Sequence, residues 1–133
     1  MSIAANPSVS DGELAVLKAI WELGETSVKD LQALLGKQGR KWAYTTVQTL
    51  ANRLMSKGYV ESRKAGRAYL FRAIVDKEQL ISRELGDIAN RVCEGSASPL
   101  VMTLVRDSRF TQEEIRSFRR LLDSMEAGNP RRT

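Results

Sequence analysis

Six residues between Thr45 and Arg53 carry side chains suited to holding an anionic partner and none suited to breaking a bond. Thr45, Thr46, Gln48, Thr49, Asn52 and Arg53 are hydroxyls, amides and a guanidinium, with no acid among them. An ordinary solvated helix face mixes glutamate with lysine, so an acid-free face points to phosphate or another anion. The surroundings agree. From Gly36 to Ala73 the basic residues are Lys37, Arg40, Lys41, Arg53, Lys57, Arg63, Lys64, Arg67 and Arg72, against Glu61 alone, a local charge of +8. The whole chain carries only +5, and from Val75 to Ala127 eight basic residues meet ten acidic ones. A positive field confined to one segment is the electrostatic footprint of nucleic-acid binding.

The elements that must position these residues follow from apolar spacing. Val47, Leu50, Ala51, Leu54 and Met55 fall at i, i+3, i+4, i+7 and i+8, which predicts a helix over Tyr44–Lys57 with its polar side outward. Gly58 supplies its left-handed stop. Strands at Tyr59–Lys64 and Ala68–Ala73 then flank Gly66 as a hairpin, with Val60, Tyr69 and Phe71 inward and Arg63, Lys64 and Arg67 near the tip. Such a tip meets phosphates or enters a minor groove.

Upstream, Ser10-Asp11-Gly12-Glu13 is a capping box, with Val9 and Leu14 as its hydrophobic staple. It opens a helix to about Leu23. Ser27 and Asp30 mark a second start, and Val28, Leu31, Leu34 and Leu35 give that helix an apolar face ending at Gly36. Three short helices and a hairpin describe a winged helix-turn-helix.

Beyond Asp76 the pattern changes. Ile81, Leu85, Ile88 and Val92, widened by Leu80 and Ala89, make a stripe on a helix over Asp76–Val92. Ser98-Pro99 opens a short apolar helix, Leu100–Val105, containing Leu100, Val101 and Leu104. Thr111-Gln112-Glu113-Glu114 is another capping box, stapled by Phe110 and Ile115, and its helix presents Ile115, Phe118, Leu121, Leu122 and Met125. Three such helices bury their faces poorly alone, whereas two copies packed together bury them well, so this part reads as a dimerisation module. The fold expected is mainly α with a small β-hairpin. Residues 1–74 form a winged-helix DNA-binding domain, 75–127 a helical dimerisation domain and 128–133 a disordered tail.

Other functions lack their chemistry. The chain has no histidine and one cysteine, Cys93, so neither a Cys/His metal cluster nor an intramolecular disulfide can form within it, and no cofactor is expected. There is no Gly-rich phosphate loop, and the carboxylates are spread as caps and solvent charges without a catalytic pair, which argues against an enzyme. Met1–Ser8 lacks the basic and apolar regions of a signal peptide, and no apolar run spans a bilayer, so no membrane insertion and a cytoplasmic protein are expected.

Ser10-x-x-Glu13-x-x-Val16-Leu17-x-x-Ile20-Trp21, followed by Trp42-x-x-x-Thr46-Val47-x-Thr49-Leu50-x-x-Arg53-Leu54-x-x-Lys57-Gly58-Tyr59, resembles the BlaI/MecI/CopY family of repressors. The resemblance runs from about Ser10 to Met125. It implies a homodimeric repressor on double-stranded dyad operator DNA, with a membrane-bound sensor metalloprotease as a candidate partner. By position, Thr45, Thr46, Gln48 and Thr49 fall where relatives place operator-reading side chains, and Arg63, Lys64 and Arg67 fall in the wing. The chemistry agrees: glutamine pairs two-point with adenine, and threonine touches a thymine methyl or bonds a phosphate. Lys41 and Arg53 suit backbone positioning.

Three departures qualify the resemblance. Ala43-Tyr44 replaces the Ser-Pro usual after the tryptophan, which weakens the helix cap and leaves the Tyr44 hydroxyl to offer a phosphate. Thr103-Leu104 stands where penicillinase-type repressors are cut at Asn-Phe, so cleavage there requires a protease of different specificity. The cysteine-rich copper site of other members is missing. Release by proteolysis within the carboxyl-terminal part is the leading expectation, and control by a small ligand or protein partner without proteolysis is the alternative.

Overall fold

A computed structural model describes residues 8–128. The elements are α1 (Asp11–Leu23), β1 (Thr26–Ser27), α2 (Val28–Lys37), α3 (Tyr44–Ser56), β2 (Val60–Ala65), β3 (Ala68–Ala73), α4 (Lys77–Val92), α5 (Ser98–Asp107) and α6 (Gln112–Gly128). They form two compact units that divide between Ala97 and Ser98. The first is a winged helix-turn-helix to which α4 is attached. The functional boundary expected after residue 74 therefore lies inside the first unit, because Leu80, Gly86 and Ala89 of α4 are buried. The signal-peptide reading of Met1–Ser8 lies outside the described residues except at Ser8. Of the expected tail, Gly128 ends α6 and residues 129–133 are outside them.

Local sequence explains most helix ends. The Ser10 hydroxyl accepts from the Glu13 amide at 3.2 Å, and Glu13 Oε1 accepts from the Ser10 amide at 2.9 Å. Ser27 caps α2 through the Asp30 amide at 3.1 Å. Thr111 and Glu114 form the reciprocal box of α6, at 2.9 and 3.0 Å. Asp76 and Gln79 make a further box on α4 that the sequence reading passed over. The α5 helix starts at Ser98, and so earlier than expected, and extends to Asp107. Phe118 of α6 meets Phe110, which precedes that helix, edge-on, with ring centroids 5.0 Å apart.

The first unit's core is Val16, Leu17 and Ile20 of α1, Val28, Leu31 and Leu35 of α2, and Val47, Leu50, Ala51 and Leu54 of α3, closed by Tyr59, Val60, Phe71 and Val75. Gly58 takes φ +83 and ends α3 in a Schellman motif: the Tyr59 amide donates to the Leu54 carbonyl at 3.0 Å and the Gly58 amide to Met55 at 3.1 Å. No side chain approaches the space a Cβ at Gly58 would fill, so Gly58→Ala adds only backbone strain. It is expected to cost about 1 kcal/mol in urea unfolding, and an unchanged midpoint would refute that account.

The sheet has three strands in the order β1-β3-β2, all antiparallel, where a two-stranded hairpin was expected. Thr26 and Ser27 pair with Phe71 and Leu70. Two residues are too short to show alternation, and this strand left no signal beside the helix cap it also supplies. The hairpin register runs from Val60↔Ala73 to Ala65↔Ala68, and Gly66 takes the left-handed φ, +65, that its tight turn needs. Two side chains depart from their expected places. Tyr69 lies on the same strand face as buried Phe71 but beyond the core's edge, and is 56% exposed. Met55 sits at the rim of the α3 stripe, 39% exposed, its sulfur accepting from the Ser62 hydroxyl at 3.3 Å.

The α4 stripe of Ile81, Leu85 and Val92 is exposed and Ile88 half-buried, while Leu80 and Ala89 point into the first unit. In the second unit Val101, Leu104, Phe118, Leu121 and Leu122 are all exposed, and Leu100 and Ile115 half-buried.

Candidate nucleic-acid interface

The outer face of α3 has two edges, each built by helical spacing. Thr45, Thr49 and Arg53 recur at i, i+4 and i+8, and with Thr46 they line a recess of about 260 Å³. Tyr44, Gln48, Asn52 and Met55 form the adjoining edge, which looks toward the wing. Between that edge, Ser62, Arg67 and Tyr69 of the hairpin and Ser27, Val28 and Lys29 at the start of α2 lies an open cleft of about 720 Å³. The structure thus brings Tyr44, Gln48 and Arg67 to one cleft, and Thr45, Thr46, Thr49 and Arg53 to the recess beside it. All of these side chains are exposed.

The start of α3 is open. Ala43 makes no side-chain cap, as its replacement of serine led us to expect, and its carbonyl accepts from the Val47 amide at 3.1 Å. Lys41 is exposed just before it, in a shallow basin of about 470 Å³ shared with Lys29, Gln32 and Trp42. That approach is held by Gln32, whose amide donates to the Trp42 carbonyl at 3.1 Å, and by the Arg40 guanidinium 5.8 Å from the Trp42 ring.

The wing cations are not equivalent. Lys64 and Arg67 are exposed near the turn. Arg63 is engaged by Glu25 in a two-point pair, Nε to Oε2 and Nη2 to Oε1, both 2.7 Å. The Arg63 hydrogen bond holds the Glu25 carboxyl below its ordinary range. Arg72 pairs with Glu61, its cross-strand neighbour. Sequence reasoning missed Glu25 because its partner lies far along the chain. It also missed Lys29 and Tyr69 as lining residues, and named Asn52 only as part of the polar face. Asn52 carried a usable signal, its position one turn after Gln48; Tyr69 carried none, having been read as core.

Among the described residues no helix is long and apolar enough to cross a membrane, and no group of three or more His, Cys, Asp or Glu could hold a metal ion.

Comparison with known proteins places this surface in context. Residues 9–124 match the family described as Penicillinase repressor. The penicillinase repressor of Bacillus licheniformis is 27% identical over 117 residues, covering 88% of this chain and 91% of that protein. The methicillin resistance regulatory protein MecI of Mammaliicoccus sciuri is 25% identical over 115 residues, covering 86% and 93%. Among solved structures, the DNA binding domain of the repressor BlaI superposes with a TM-score of 0.50 at 30% identity, covering 58% of this chain and 93% of that one. By their names, the first of these is a repressor, the second a resistance regulator, and the solved domain the DNA-binding part of a repressor. A match that spans both units and nearly the whole of each relative leaves one assignment: the chain belongs to the BlaI/MecI family of penicillinase repressors.

Proposed function

We propose that the chain is a homodimeric transcriptional repressor that occludes a dyad operator, with the α3 of each copy in successive major grooves and each wing on the flanking backbone. The observation that carries this reading is the acid-free outer face of α3, exposed beside an open basic hairpin turn in a chain of this family. Thr45, Thr46, Gln48 and Thr49 read base edges. Lys41, Tyr44, Arg53, Lys64 and Arg67 hold phosphates, and Arg63 joins them only by exchanging Glu25 for a phosphate. Residues 1–74 supply DNA contacts. The apolar faces of residues 75–127 supply the contacts between copies, and such a protein works in the cytoplasm.

Release by proteolysis within α5 is the form of induction we favour. Thr103 and Leu104 are exposed on this short helix, and the Thr103 hydroxyl donates back to the Pro99 carbonyl at 2.7 Å. A membrane-bound sensor metalloprotease is the candidate partner for that cut. Cutting there severs α6 from the rest of the chain and removes its share of the dimer contacts.

Anisotropy titrations of a duplex from upstream of the protein's own gene, against a scrambled duplex at two salt concentrations, test the reading. A specific preference of about a thousandfold is expected; equal, steeply salt-dependent binding to both would reduce the surface to a phosphate patch. Within that assay Gln48→Ala should cost about 1–3 kcal/mol on the operator and relax preference at one base position. Lys64→Ala should weaken every duplex alike and lower the salt slope by about one. Equal losses of Gln48→Ala on operator and scrambled DNA would remove its reading role.

A further inference from the structure

The end of the recognition helix is tied to α4 by polar contacts that dimerisation and base reading leave unexplained. Arg83 of α4 donates to the Gly58 carbonyl at 3.3 Å, and its guanidinium lies 5.0 Å from the centre of the Tyr59 ring. Gly58 and Tyr59 are the residues that terminate α3. A second tie runs through Ser8 and Val9. Lys57, the C-cap of α3, donates to the Ser8 carbonyl at 2.7 Å. The Ser8 hydroxyl donates to Asp87 Oδ2 and the Val9 amide to Glu84 Oε1, both at 3.1 Å and both on α4.

The apolar contact beneath these ties is thin, since the buried residues of α4 are Leu80, Gly86 and Ala89. One leucine and one alanine hold the helix along a single contact line; a guanidinium over a buried ring and the strap of Ser8 and Val9 add restraints to either side of it. We infer that Arg83, with the Ser8–Val9 strap, locks α4 to the end of the recognition helix and so sets which half-site spacing the dimer accepts. The inference rests on the dimeric operator binding proposed above. Arg83 is then a positioning residue: it touches no DNA, yet the direction in which α4 leaves the winged unit fixes where the second recognition helix can reach. Inserting two base pairs between half-sites turns one of them by roughly 70° about the duplex axis, which a locked pair cannot follow and a loosened pair can.

The test uses the full chain and an operator that the wild-type protein captures from a pool of random duplexes. Anisotropy is read on its single half-site, on the intact dyad and on dyads lengthened or shortened by two base pairs. The wild type is expected to prefer the intact spacing by at least about tenfold, because mismatched geometry forfeits simultaneous engagement. Arg83→Met should keep half-site affinity within about twofold and bring the spacing ratio to within about threefold. Arg83→Lys, which retains the cation without the planar guanidinium, should recover part of the ratio. An Arg83→Met chain with the wild-type ratio overturns the inference alone. A wild type that binds no duplex overturns the DNA-binding reading and this inference with it. If Arg83→Met loses half-site binding through misfolding, Glu84→Ala, which removes the acceptor of the Val9 amide, decides: a narrowed ratio supports the lock, and an unchanged one overturns it.

Discussion

Glu13→Ala is expected to lower the unfolding free energy by about 3 kcal/mol, in the range for breaking a buried ion pair. Glu13 is 2% exposed, and its Oε1 accepts from Lys57 Nζ at 2.7 Å as well as from the Ser10 amide. Removing the carboxylate leaves the charge of Lys57, whose side chain is 25% exposed, with the Ser8 carbonyl but no counter-charge, and it also opens half of the α1 capping box. The effect reaches function because Lys57 caps α3: the pair joins the start of α1 to the end of the recognition helix. Burial by itself raises the Glu13 pKa; the hydrogen bond from Lys57, the Ser10 amide and the Lys57 charge outweigh it, and the net shift is downward from 4.5. A carboxylate with a lowered folded pKa contributes fully above its unfolded value and loses that contribution as pH falls through the folded one. Wild-type stability should therefore decline in acid below about pH 4.5, and Glu13→Gln should flatten that decline. Urea midpoints measured from neutral to acid pH decide the matter. An alanine variant within about 0.5 kcal/mol of wild type would mean that Lys57 finds full solvation elsewhere.

What could be read from the sequence is what depends on near neighbours. Capping boxes at Ser10 and Thr111, the Ser27 cap, the glycine stop of α3 and the polar face of that helix all follow from residues within one or two turns. The contacts that were missed join residues remote in sequence: Glu13 with Lys57, Glu25 with Arg63, Arg83 with Gly58 and Tyr59, and Trp21 Nε1 with the Val75 carbonyl at 2.8 Å. Periodicity told which face Tyr69 and Met55 belong to, but not where the core ends along that face. Both lie past its edge and instead line the cleft beside α3. The same limit explains α4. Its apolar residues were read as one stripe, whereas Leu80 and Ala89 turn inward and Ile81, Leu85 and Val92 remain outside. For the interface itself the polar residues of α3 were legible as a set, since their helical spacing alone groups them. Arg63 was legible as a cation, while its carboxylate partner was not.

The outward half of that division leads to the largest functional effect expected. Leu121 and Leu122 of α6 are 62% and 61% exposed, and Val92 of α4 is 65% exposed. In the dimer proposed above, a second copy covers these leucines. A paired substitution, Leu121→Asp with Leu122→Asp, would place two carboxylates in that contact with no basic partner assured, and each costs far more to bury than the leucine it replaces. The expected result is a mass shift from two chains to one in light scattering at micromolar concentration. Operator affinity should fall by about a hundredfold or more, since the second half-site then binds from bulk solution and not at the effective concentration set by its tethered partner. Single half-site binding should stay within about twofold, because the α3 face and the wing are untouched. The two readouts separate the causes. Loss of dyad binding with an unchanged dimer mass would assign these leucines to DNA-bound geometry and not to association. A wild-type chain that is already monomeric and still discriminates its operator would place assembly on the DNA, with each copy recruited by its neighbour.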